Sequence, residues 1–416
     1  MFVISLLIFL LILMVVVFIH ELGHFLAARK NGVLVEEFGL GMPPRMCGVQ
    51  KVDGKWQVLK GNAAPLDPTQ TLFSFNWLPI GGFVRLYGDG AGGEGGAVNP
   101  KYKQLALGSA SVWGRFVIMI AGVVMNVILA TMIYYGLLGT NGFRSDRLPL
   151  IGDATFRFGH IIESVGAIAI RPDSPAEKAG IKSQSVIKRI KPMTCEVGIP
   201  CDISLIPWQQ VEKTTDLIEM VKKHDGQAIL IEVQKNFMNP DSEVVTVVPV
   251  YDAKENRAMI GIQLIKFVSF DYSQSMLEKL LSGPLHAWNL LSYNYQVQRN
   301  ILIESYRARD PRIAGDAMGG PVAIASVVND TIKRSGVDTV KNLLGLTALI
   351  SLSLAFMNIL PIPALDGGRI ALLIPEMITG RKNNAKFENY VNIGGFIVLI
   401  GLSILVTFKD VWNLFR

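Results

Sequence analysis

No side chain from Phe2 to Ile19 is charged, and the same holds for Phe116–Phe143, Asn342–Leu365 and Asn389–Phe408. At 1.5 Å per residue, each stretch is long enough as a helix to cross roughly 30 Å of hydrocarbon. A backbone in lipid must satisfy its own hydrogen bonds, which points to helices. With 50% of its 416 residues hydrophobic and only 18% charged, the chain is not a water-soluble globule. About 200 residues of ordinary soluble composition separate the second and third stretches and add a globular part. The first stretch has no basic residue ahead of it and no small-residue cleavage site, so it is expected to stay as a helix rather than be removed as a signal peptide.

Lys and Arg in short loops set the direction of insertion. The N-terminus offers none, whereas Arg29, Lys30, Arg45, Lys51 and further basic residues to Arg115 follow the first stretch, and Arg369, Arg381, Lys382 and Lys386 join the last two. Those two connections are expected on the cytoplasmic side, with both termini and the long insert extracytoplasmic. A net charge of +6 raises the question of nucleic acid, but the basic residues form no stripe with interleaved aromatics, so no nucleic-acid partner is expected. Three cysteines without a C-x-x-C pair build no thiolate zinc site, so a metal here needs His and carboxylate.

At the end of the first stretch the chain reads His20-Glu21-Leu22-Gly23-His24. Two His four apart share a helix face, so both imidazoles reach one Zn²⁺, and the Glu between them is placed to take a proton from water. The competing view makes them interfacial residues at a helix end. Ionisable groups in a membrane segment are costly, which favours function. The second anomaly is Asn358-Ile-Leu-Pro-Ile-Pro-Ala-Leu-Asp366-Gly-Gly. Pro361 and Pro363 each remove an N–H, so the third membrane helix must break, and broken backbone at that depth is tolerated only beside protein or a wet cavity. Asp366 as a third ligand leaves a coordination position open for water; alternatively, it caps a helix just past the membrane.

The two motifs together resemble the site-2 proteases, intramembrane zinc metalloproteases, and within them the regulator of sigma-E protease group, with four transmembrane helices and a PDZ-bearing insert between the second and third. The resemblance implies one Zn²⁺ per chain on His20, His24 and Asp366, Glu21 as catalytic acid/base, and Asn358 holding the substrate backbone near the metal. It implies that residues 78–89 form a membrane-associated β-hairpin loop in which Gly82, Phe83, Val84 and Arg85 pair with extended substrate; a surface hairpin without that role is the alternative. Gly319-Gly320-Pro321-Val322 resembles an element that precedes the third helix in the family, without a role readable here.

The insert reads as a small α+β domain. Ser174-Pro-Ala-Glu177 is a capped helix start, Val186–Ile190 a strand, Pro207–Lys223 a helix, and Ile229–Val233 and Val244–Val250 strands. The order is similar to one PDZ domain, with Gln184-Ser185 where such domains carry Gly-Asp, and with an expanded turn from Lys191 to Ile206. Either peptide or C-terminus binding in its groove or a steric filter fits. Cys195 and Cys201 in that turn are either a disulfide or two free thiols. Pro284–Ile303 reads as an amphipathic helix.

The fold expected is thus a multi-pass α-helical membrane protein with a β-hairpin loop and a PDZ-like insert. Its segments are helix 1 over 1–28, a cytoplasmic-side segment over 29–112, helix 2 over 113–140, the PDZ-like domain over 141–270 and amphipathic helices over 271–335. Broken helix 3 over 336–368, a loop over 369–388 and helix 4 over 389–410 complete it. The function expected is intramembrane proteolysis of single-span proteins, from the family anti-sigma factors or remnant signal peptides, in a bacterial cytoplasmic membrane. A metal transporter or sensor, or a silent PDZ adaptor, are the alternatives; the first needs more ligands along a path, and the second has no use for Glu21.

Overall fold

The computed structural model describes every residue except 1, 90–98, 153, 184, 194–205, 235–240, 254, 311, 313, 316–318, 335–337, 382–384 and 415–416. Cys195 and Cys201 therefore lie outside the described residues. In chain order the elements begin α1 (Phe2–Lys30), β1 (Val35–Val52), β2 (Lys55–Lys60), β3 (Leu72–Leu86), α2 (Val112–Thr140), β4 (Leu148–Leu150), β5 (His160–Ile170), α3 (Pro175–Lys178) and β6 (Val186–Pro192). They continue β7 (Gln209–Gln210), α4 (Thr214–Lys223), β8 (Ile229–Gln234), β9 (Ser242–Val247), β10 (Val250–Asp252), β11 (Arg257–Met259), β12 (Ile262–Asp271) and α5 (Met276–Ala308). The last four are α6 (Pro321–Arg334), α7 (Thr339–Ile359), α8 (Asp366–Thr379) and α9 (Ala385–Leu414). Two compact units result, residues 1–137 with 290–416, and residues 138–289.

In the first unit, α1, α2, α7 and α9 are long and apolar enough to span a membrane. Their outer faces carry bare apolar side chains, Leu7 at 60% and Leu405 at 68% exposure, a surface suited to lipid. The expected loop over 369–388 is instead largely helical. Two charges of α8 find partners elsewhere in the unit: Glu376 pairs with Arg115 of α2, and Arg369 Nη1 lies 2.9 Å from Asp89 Oδ2. Gly380, left-handed at φ 67°, ends α8. The Gly-Gly-Pro segment opens α6, with Gly320 N and Ala323 N donating to Asp410 Oδ2 of α9 at 2.9 and 3.1 Å. Phe9 of α1 packs with Ala325 and Val328 of α6 in a buried cluster.

A small sheet in strand order β2-β1-β3 follows α1. Residues 78–89 are not a free-standing hairpin, because both halves of β3 pair with β1. Leu72–Phe75 lie opposite Gln50–Cys47 and also opposite Glu37–Leu40, while Gly82–Leu86 lie opposite Leu40–Val35. Gly82–Leu86 thus has a strand partner on one side only among the described residues.

The second unit is a sheet in the order β4-β12-β5-β6-β8-β9, with β7 on β6. Ile187, Ile190, Leu217, Ile229 and Ile231, all within 1% of full burial, form its core with α4. Ser174 caps α3 as expected, accepting from Glu177 N at 3.3 Å. The helix expected from Pro207 starts only at Thr214, because Asp216 accepts from the Glu212 and Lys213 N–H groups and fixes the start there. The strand expected over Val244–Val250 is split at Pro249 into β9 and β10. α5 begins well before Pro284, at Met276, where Ser275 Oγ accepts from Glu278 N at 3.1 Å; the proline sits inside the helix.

His286 of α5 is buried against Tyr272, whose hydroxyl lies 3.2 Å from its Nδ1 and 3.1 Å from Asn289 Nδ2. Burial pushes the His286 pKa down to about 4. Between that value and the ordinary 6.5 the unfolded chain binds a proton that the folded one does not, so stability falls as pH falls through this window. The unit is expected to lose about 3 kcal/mol between pH 7 and pH 4, and His286→Gln should flatten that loss. Unfolding followed by tryptophan fluorescence across pH checks it.

Candidate active site

His20 and His24 lie on one face of α1, and Asp366 is the first residue of α8. His20 Nε2 and His24 Nε2 are 3.2 Å apart, and Asp366 Oδ2 lies 3.1 and 3.3 Å from them. Tetrahedral zinc with ligands near 2.05 Å requires ligand atoms roughly 3.3–3.4 Å apart, so this triangle fits one ion with a fourth position left open. Asp366 Oδ2 is buried with no hydrogen-bond donor aimed at it. Among the described residues this is the one His/Cys/Asp/Glu group that could hold a metal.

Local sequence explains how Asp366 arrives there. α7 stops at Ile359, Leu360 turns extended with ψ 143°, and Pro361 and Pro363 keep the chain out of helix until Asp366. Ala364 is left-handed at φ 73°, an uncommon conformation for a residue with a Cβ, held by the surrounding turn. The following Gly367 and Gly368 sit against the carbonyls of Ile359, Leu360 and Ile362 so closely that no side chain fits. The motif thus folds α8 back onto the break and aims the carboxylate at α1.

The expected site residues are only partly brought together. Glu21 accepts a hydrogen bond from the Val84 backbone, and a Cβ built on Gly82 would lie 3.6 Å from Glu21 Cγ. Asn358 Nδ2 lies 3.4 Å from His20 Nε2. Phe83 instead covers Gly39 of β1, and Arg85 turns to Glu37, Nη1 to Oε2 3.6 Å. Two of the four strand residues therefore face Glu21 and two do not. His160, His224 and His286 all belong to the other unit.

Sequence reasoning missed the contribution of α2. His24 Nδ1 lies 2.7 Å from the Ile118 carbonyl, and His20 Nδ1 lies 3.3 Å from Asn126 Nδ2. Between them, a Cβ on Gly122 would stand 2.5 Å from His24 Nε2 and 2.8 Å from His20 Nε2. The absent side chain leaves room where the ion would sit. The signal available was a lone Asn inside an otherwise apolar helix.

Comparison with known proteins covers nearly the whole chain. The sequence profile of peptidase family M50 matches residues 8–60 and 64–402. A relative in Clostridium acetobutylicum, a zinc metalloprotease by name, is 30% identical over 95% of this chain and 94% of its own. Similarly named relatives in Clostridium perfringens and Synechocystis are 28% identical over 95% of each chain and 27% identical over 97% of this chain and 93% of theirs. Gly122→Ala should purify with far less than one zinc per chain, whereas Gly136→Ala on the same helix, with open space around it, should keep it. Elemental analysis of the two proteins checks this.

Proposed function

The chain belongs to peptidase family M50, the site-2 proteases, and is a zinc metalloprotease; from that premise we propose that it cuts peptide bonds in the transmembrane segments of single-span membrane proteins. His20, His24 and Asp366 are the zinc ligands in this reading, and Glu21 is the general base and acid. The observation that carries it is the convergence of three ligand atoms beside Glu21 in a unit with four membrane-length helices.

Bound zinc supplies a Lewis acid that polarises the scissile carbonyl and acidifies water. Glu21 takes the proton of the attacking water and returns it to the leaving amine. Asn358, on the last turn of α7, hydrogen-bonds the substrate backbone beside the metal. A substrate helix must be unwound first, since its carbonyls are otherwise engaged. The edge of Gly82–Leu86 that faces away from β1 accommodates the extended segment by strand addition, with the Val84 N–H already given to Glu21. Phe83 lies over Gly39 and Arg85 reaches Glu37, and both stay candidates for substrate contact in this reading.

In this reading, supported by the Lys and Arg that follow the first helix, the metal site lies near the cytoplasmic face of a bacterial membrane, with the termini and residues 138–289 outside. That second unit is read as PDZ-like. A groove of about 580 Å³ lies between α4 and the β11–β12 segment, lined by Leu217, Val221, Ile260 and Leu264. Ile262–Ile265 pair with β5 alone among the described residues, an edge that suits a peptide. By family analogy the substrates are trimmed anti-sigma factors or remnant signal peptides, placing the enzyme in regulated intramembrane proteolysis.

In detergent, Glu21→Gln should cleave a trimmed single-span substrate at least about 10²-fold more slowly than the wild type while keeping about one zinc per chain. Equal cleavage by both proteins, or none by either at full zinc content, would sink the proposal.

A further inference from the structure

An imidazole that gives its Nε2 lone pair to a metal must carry its proton on Nδ1, and that N–H needs an acceptor. For His24 the acceptor is plain: the Ile118 carbonyl, 2.7 Å from Nδ1, only accepts. For His20 the group facing Nδ1 is the Asn126 amide, whose Nδ2 is placed at 3.3 Å while its Oδ1 is buried without a partner. A donor at that place would force the His20 proton onto Nε2, which faces Asp366 Oδ2 and His24 Nε2 and is the atom the zinc site needs bare. The two ends of an amide exchange by a half-turn that leaves the heavy-atom positions in place. Only the orientation with Oδ1 toward Nδ1 is compatible with His20 as a ligand.

We infer that Asn126 is a positioning residue of the metal site, its Oδ1 accepting the Nδ1–H of His20 and so turning the Nε2 lone pair to zinc. The inference rests on the ligand set proposed above. Asn126 is suited to the task by its surroundings: it is fully buried, and its backbone carbonyl accepts from Ser351 Oγ of α7 at 2.8 Å. Ile118, Gly122 and Asn126 recur every four residues on α2, so one helix face presents an acceptor, a gap and an acceptor. His24 and His20, four apart on α1, meet the two acceptors, and the gap between them leaves space for the ion. An amide at this depth would otherwise be an unexplained polar group in an apolar helix.

The test is the zinc affinity of the full-length protein in detergent, by competition with a chelator of known affinity, for the wild type, Asn126→Leu, Asn126→Asp and His20→Ala. Asn126→Leu keeps the volume and removes the acceptor, and is expected to weaken zinc binding about 10–100-fold. Asn126→Asp restores an acceptor and is expected to bind within a few-fold of wild type. The metal-free melting temperatures of both should match the wild type, which separates positioning from a general packing role. Should Asn126→Leu not fold, Asn126→Ala takes its place in the comparison with Asn126→Asp. Wild-type affinity in the acceptor-less variant, or an Asp variant as weak as it, overturns the inference while a zinc-deficient His20→Ala leaves the ligand set standing. Wild-type affinity in His20→Ala overturns the ligand set and this inference together.

Discussion

The Nε2 atoms of His20 and His24 and Asp366 Oδ2 are held 3.1–3.3 Å apart among membrane helices, and with lone pairs facing they repel one another unless a proton or a metal cation lies between them. Much of the first unit answers that requirement. α2 has no side chain at Gly122 and brings the Ile118 carbonyl and the Asn126 amide to the two imidazoles on either side of it. The third long helix gives up its regularity at Pro361 and Pro363 so that a carboxylate can enter from a separate helix. α8 is then tied to α2 through the Glu376–Arg115 ion pair and to the end of β3 through Arg369 and Asp89. Removing one partner of a buried pair costs about 3–5 kcal/mol, so α8, and Asp366 with it, is not free to drift.

What was legible in the sequence was local. His20-x-x-x-His24 is a spacing on one helix, and the Pro-Pro break before Asp366 is a conflict visible within nine residues. Ser174 and Glu177 carry their cap within three residues. Asn126 was not legible in the same way, because its partner lies 106 residues away and nothing local says which face of α2 meets α1. α8 was hidden because Arg369 and Glu376 look like loop charges until their partners are in place. The starts of α4 and α5 were missed by several residues because Asp216 and Ser275 set them by side-chain caps, against the run of apolar spacing.

β3 shows a different limit. The resemblance implied a segment open to pairing with an extended chain, and Gly82–Leu86 has a strand partner on one side only among the described residues. Its register was out of reach, since β1 is irregular between Gly41 and Arg45 and pairs with both halves of β3 through Val35–Leu40 but with the first half alone through Arg45–Gln50. Strand pairing depends on where the partner bends, and a bend in one strand leaves no mark in the other.

That register also bears on the chemistry. Residues of one strand alternate between its two edges, so Val84, which sends its N–H to Glu21, shares its edge with Gly82 and Leu86, while Phe83 and Arg85 address β1. On the proposed reading, the strand that holds the unwound substrate is the same strand that holds the base. On that reading a peptide added to this edge would lie within two residues of strand from the Val84 N–H that holds Glu21. In this reading unwinding would leave the substrate's own N–H and C=O groups without their helical partners, a cost of about 1–3 kcal/mol for each group buried unpaired. On the same reading, edge pairing would offset that cost for a segment lying along Gly82–Leu86, and the contacts that stabilise the extended chain would then select the bond presented to the metal.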